Sequence, residues 1–140
     1  MSRADQHYTI VNVDNGETEV VLGSHQLSKN IQVHELSSTN KSEVVLYSGE
    51  MIRDLQWIRD HYGRPLTITS GHREWLLNDH VNGSTDSEHL HGLGVDIKIN
   101  GVECLDLWHT CVYVGGYYCN VGLYPTWVHY GKGGFHRRAR

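Results

Sequence analysis

Several features are scarce or missing in this sequence, and each shortage excludes a class of protein. No apolar run approaches the ~18 residues that a membrane-spanning helix needs, so no span is expected. The opening MSRADQHYTI lacks the continuous apolar stretch of a secretory signal, and synthesis in the cytoplasm without a signal peptide is the expectation. Positive charge is in deficit: 12 Lys and Arg stand against 16 Asp and Glu, a formal net charge of −4. That balance offers no basic field to a nucleic acid, and the basic tail HRRAR reads as a solvated C-terminus. Cysteine is limited to Cys104, Cys111 and Cys119, an odd number without CxxC spacing, which argues against a disulfide framework and a thiolate zinc site. They read as buried reduced thiols of a protein that folds in a reducing compartment. Internal repeats and low-complexity linkers are absent too.

What remains is an ordinary globule. At 140 residues the chain is one domain's worth, able to bury roughly two-thirds of its unfolded surface. Hydrophobic residues at 39% and charged residues at 20% fit that class. One count is high: there are 11 histidines, more than a structural core requires. A zinc site uses two or three, so most of them belong to surface or core.

Along the chain, His7–Val13 and Glu17–Leu22 read as two alternating strands around Asn15-Gly16, a strong hairpin signal. An irregular Ser-, Asn- and Lys-rich stretch follows to about residue 42, then a short strand at Val44–Tyr47. From Ser48 to His61 the pattern is helical, with Ser48 as cap, Met51, Leu55 and Ile58 at helical spacing, and Gly63 and Pro65 as stops. Leu66–Thr69 is β-branched and extended, Arg73–His80 reads as a short helix, and Asn82-Gly83-Ser84 as a turn. Gly94–Ile99 alternates, with Val95, Ile97 and Ile99 facing one way and Asp96 and Lys98 the other. A helix over Val102–Val114 and strands near Val121–Tyr124 and Trp127–Tyr130 complete the chain. Helices and strands mix without a βαβ rhythm, so the expected fold class is α+β.

The segment Ser87-Glu88-His89-Leu90-His91-Gly92-Leu93-Gly94-Val95-Asp96 carries the chemistry. His89 ends a polar turn, Asp96 lies on the polar face of the next strand, and glycines between them allow a tight approach. An imidazole and a carboxylate so placed can form two legs of a tetrahedral zinc site. H-x6-D alone is a weak signal. His129 strengthens it, because it sits in the apolar strand Trp127-Val128-His129-Tyr130, where a buried imidazole needs a partner. Three protein ligands with one open position are the catalytic pattern, whereas a satisfied core histidine is the ordinary alternative.

The order of motifs is more specific than any one of them. SGHR (Ser70–Arg73), Asn78, S-x-H-x-x-G-x-G-x-D (Ser87–Asp96) and GLYPTWVH (Gly122–His129) together resemble the zinc D-Ala-D-Ala carboxypeptidases. That family includes phage endolysins and shares its fold with the hedgehog signalling domain. Leu27-Ser28-Lys29-Asn30-Ile31 and Pro65–Thr69 resemble its phage and bacterial members, so the resemblance spans about residues 27–131. It implies a mostly antiparallel sheet with helices packed on it, preceded by a hairpin extension over residues 1–26 and followed by a tail over 132–140. It also implies that His89, Asp96 and His129 hold Zn2+. Arg73, matching the arginine of the family's SGYR, is implied to hold a substrate carboxylate or carbonyl, the natural task of a planar guanidinium. Ser87 is implied to donate a hydrogen bond to substrate.

Three positions depart from the family pattern. His72 replaces the usual Tyr and Gly94 the usual Ala. Related sequences commonly read H-x-D, or carry Glu or Asp shortly before the third ligand. Here Tyr124-Pro125-Thr126-Trp127 precedes His129 and Tyr130-Gly131 follows, so the general base of zinc-assisted hydrolysis has no carboxylate there. Glu88, His91 and Tyr130 are the nearest substitutes along the chain. The resemblance implies hydrolysis of peptidoglycan stem peptides by a monomer, as a carboxypeptidase or a lysin-like endopeptidase acting on the cell wall. The alternatives are a non-catalytic zinc-binding homologue and a virion structural module.

Overall fold

The computed structural model describes residues 2–37, 44–72, 88–89, 91–116 and 119–132. The expected helix Arg73–His80, the turn at residues 82–84, the basic tail and the side chains of Arg73, Asn78 and Ser87 lie outside them.

Strands β1 (His7–Asn12) and β2 (Thr18–Leu22) form the expected antiparallel hairpin. Gly16 takes φ +78° in its turn, a left-handed conformation open to glycine, and Asn15 Oδ1 accepts a bond from the Glu17 amide. The stretch expected to be irregular is partly ordered. β3 (Gln26–Ser28) and β4 (Ile31–Gln32) pair, and a 3-10 turn, Val33–Leu36, follows. Strands of two and three residues are too short to show a period. Their anchors are Ile31, Val33 and Leu36, all buried in the core. β5 (Val44–Tyr47) then runs parallel to β1, giving the sheet order β2-β1-β5.

Helix α1 (Gly49–Tyr62) begins where Ser48 accepts a bond from the Met51 amide at 3.2 Å and ends at Gly63, φ +62°. It buries Met51, Ile52, Leu55 and Ile58. The second half supplies β6 (Leu66–Ser70), β7 (Gly94–Ile99), α2 (Cys104–Gly115), β8 (Asn120–Leu123) and β9 (Val128–Gly131). These four strands make an antiparallel sheet in the order β6-β7-β9-β8. α2 starts two residues later than expected. The Val102 amide closes a turn on the Ile99 carbonyl at 3.1 Å, and Glu103 takes the cap position. α2 packs on β7, β8 and β9 and against α1.

The domain is α+β, with two helices and three mostly antiparallel sheets among the described residues. Val95, Ile97 and Ile99 of β7 join Val128 and Tyr130 of β9 in one core cluster with the buried face of α1. The alternation that buries them leaves Asp96 and His129 on the other side of the sheet. Cys104, Cys111 and Cys119 are free thiols. No helix among the described residues is long and apolar enough to cross a membrane.

Candidate metal centre

Two neighbouring strands and one turn build the site. Asp96 and His129 are direct register partners on β7 and β9, so the pleat sends both side chains to the same face. His89 arrives from the turn before β7. The Glu88 carbonyl closes that turn, accepting from the amides of Leu93 at 2.8 Å and His91 at 3.2 Å. Gly92 takes φ +74° there, and a Cβ on it would lie 2.6 Å from the Leu46 carbonyl carbon, so both conformation and space require glycine.

The three side chains converge on one oxygen. Asp96 Oδ1 lies 3.1 Å from His89 Nε2 and 3.0 Å from His129 Nδ1. Among the described residues, His89, Asp96 and His129 offer ligand atoms within 4.8 Å of one another. The outer nitrogen of each imidazole is engaged. His89 Nδ1 donates to the Gly71 carbonyl at 2.8 Å, and His129 Nε2 donates to Glu88 Oε1 at 2.7 Å. Each ring thus turns its other nitrogen inward, the arrangement that orients histidine toward a metal. Two imidazoles and a carboxylate, buried or half-buried and oriented from behind, fit zinc, whose tetrahedral set takes a fourth ligand.

Charge follows the same geometry. Burial acts to raise the Asp96 pKa, but bonds from His129 and His89 outweigh it and hold the carboxyl at about 2. Burial disfavours a charged His129, yet its bonds to Asp96 and Glu88 outweigh that and push it up to about 9.

Sequence reasoning placed Gly131 at an empty carboxylate position, and the structure puts a carboxylate against it. A Cβ on Gly131 would overlap the Glu88 carboxylate carbon and both its oxygens. Glu88 also accepts from Asn120 Nδ2 at 2.9 Å, so it is held on the outer edge of the His129 ring, away from Nδ1. The other two substitutes sit differently. Tyr130 points into the core and donates to Asp54 at 2.6 Å, while His91 is exposed outside the three-residue cluster. Burial, then the bond to Asp54, raises Tyr130 far above the usual tyrosine range, so its hydroxyl keeps its proton.

Sequence reasoning missed several supports. Gly71 of the SGHR motif serves through its carbonyl, and it packs so closely on the 3-10 turn that a Cβ would lie 2.7 Å from Leu36 Cα. Asn120 had no signal beyond its polarity at the start of a strand. Tyr124 and Trp127 stack at 4.8 Å and 8°, with Tyr124 folded over Gly122, the register partner of His129. The GLYPTWVH motif contained this aromatic pair, and only its histidine was singled out.

No curated protein matches the chain. The family model described as Peptidase M15 matches residues 25–131. Peptidases of this family depend on zinc, which agrees with the donors assembled here. By this match over most of its length, the chain belongs to the peptidase M15 family, the zinc D-Ala-D-Ala carboxypeptidases that its motifs resemble.

Proposed function

We propose that this protein is a zinc metallopeptidase that hydrolyses peptidoglycan stem peptides, as a D-Ala-D-Ala carboxypeptidase or a lysin-like cell-wall endopeptidase. The observation that carries the reading is the convergence of His89 Nε2, Asp96 Oδ1 and His129 Nδ1, with both outer imidazole nitrogens bonded from behind. His89, Asp96 and His129 are the ligands in this reading. Bound there, zinc supplies Lewis acidity that polarises a carbonyl and makes water a competent nucleophile near neutral pH. The chain's own residues do the rest. Arg73 pairs with a carboxylate or carbonyl of the peptide, and Ser87 donates a hydrogen bond to it. Asp96 neutralises part of the metal's charge. The Tyr124–Trp127 stack gives the peptide a flat apolar wall beside His129.

One observation favours a second reading, a zinc-binding module without turnover. Among the described residues, the carboxylates bonded within the site are Asp96, a ligand in this reading, and Glu88, held on the outer ring nitrogen. Purified peptidoglycan incubated with zinc-loaded protein separates the two. Mass spectrometry showing stem peptides shortened by D-Ala, or cross-links cut, establishes the peptidase and names the bond. Stoichiometric zinc with intact peptides establishes the binding module. No zinc on elemental analysis, and none taken up on titration, refutes both.

A further inference from the structure

The Glu88 side chain is only 3% exposed, and a buried carboxylate is costly unless its oxygens are bonded. Donors that meet it include His129 Nε2 at 2.7 Å and Asn120 Nδ2 at 2.9 Å. The backbone makes the space. Asn120 is the register partner of Gly131, and Gly131 is the partner of Gly94, so the three form one row across β8, β9 and β7. The Glu88 side chain lies over that row. A Cβ on Gly94 would sit 2.7 Å from Glu88 Cβ and 2.9 Å from His129 Cε1, and one on Gly131 would overlap the carboxylate itself. Neither glycine has positive φ, so backbone conformation does not require glycine at either position. Space does.

Resting on the reading of His129 as a ligand, we propose that Glu88 is the positioning residue of that histidine, and that Gly94 and Gly131 are glycines because Glu88 fills their side-chain volume. A carboxylate on Nε2 keeps a proton there and leaves Nδ1 as the nitrogen that faces Asp96 and His89 and can take the metal. It acts through the ring, from its outer edge, and takes no proton from water or substrate. Changing the acceptor therefore alters how tightly zinc is held, a property that can be measured without turnover.

The test uses the full chain loaded with zinc. Long-range 1H–15N NMR of the histidine rings is expected to show His129 metal-bound at Nδ1 and protonated at Nε2; metal at Nε2 overturns the proposal. Competition with a chromophoric chelator should give about 10–100-fold weaker zinc binding for Glu88→Ala. Glu88→Gln should recover most of that loss, because an amide oxygen still accepts from Nε2. Equal affinity in all three proteins overturns the positioning role and leaves the ligand reading intact. No zinc uptake by the parent chain overturns both. The packing half has its own readout: Gly131→Ala should lower Tm by roughly 5 °C in the parent and far less in a Glu88→Ala background. The same loss in both backgrounds overturns the volume argument.

Discussion

Asp54→Ala tests how the sheet that carries the site is fastened to the rest of the fold. Asp54 lies on α1 and reaches β9, accepting from Tyr130 Oη at 2.6 Å and from Lys132 Nζ at 2.9 Å. Tyr130 follows His129 in the strand and is fully buried. Among the described residues, truncation leaves that phenol with the Cys119 thiol, 3.5 Å away, as its one polar partner. Lys132 keeps Glu50 at 2.9 Å, but Glu50 is 59% exposed and such a pair contributes little. The dominant loss is a hydrogen bond to a charged acceptor plus a stranded buried hydroxyl, together about 2–3 kcal/mol. For 140 residues the unfolding entropy is about 0.3 kcal/mol per degree, so Tm should fall by roughly 7–10 °C.

Thermal denaturation followed by circular dichroism reads this directly. Tyr130→Phe isolates the term, because it removes the phenol while Asp54 keeps Lys132. It should cost about 1 kcal/mol, and Asp54→Ala made on top of it should cost at least 1 kcal/mol less than alone. A fall of less than 2 °C for Asp54→Ala, or strictly additive losses, would refute the reasoning.

Three further outcomes follow from the site. Asp96→Ala should weaken zinc by about 10²–10³-fold, since the roughly 10–16 kcal/mol of a structural zinc held by four protein ligands is ~2.5–4 kcal/mol per ligand; retained tight binding would mean the ligands are misassigned. His129, raised to about 9, carries a proton at pH 7 that a ligand must lose, so zinc uptake there should release about one proton. Affinity should then climb about tenfold per pH unit up to ~9, and calorimetry in buffers of different ionisation enthalpy showing no proton release would contradict it. Arg73→Ala should lower kcat/KM on stem peptides about tenfold or more while leaving zinc affinity near the parent value; an unchanged kcat/KM would return Arg73 to the solvated surface.

The parts of the fold that were legible in the sequence are those whose signal is local. Asp96 could be assigned to the face opposite Val95, Ile97 and Ile99 because a strand has period two, and those three residues are buried. The same alternation puts His129 between buried Val128 and Tyr130. Ser48 and Gly63 bounded α1 as expected, because capping and left-handed termination each depend on one residue type at one position. β3 and β4 escaped notice because their order comes from Ile31, Val33 and Leu36 meeting the distant core, not from a local period.

That Glu88, a candidate carboxylate in the sequence, would meet the His129 ring was not legible, for a related reason. Along β9, Val128 and Tyr130 flank His129 and Gly131 has no side chain, whereas Glu88 is a candidate only through its place beside His89. Glu88 precedes His129 by 41 residues, and it reaches the ring because β7 and β9 pair in a register that sets Gly94 beside Gly131. Register between distant strands is chosen by the burial of whole faces, a sum that no single motif displays. A glycine where a side chain would be expected was therefore the legible trace of a neighbour whose position was hidden. Gly131 looked like a loss when viewed along β9. Viewed across the sheet, it is the space that lets a carboxylate from another element reach the His129 ring.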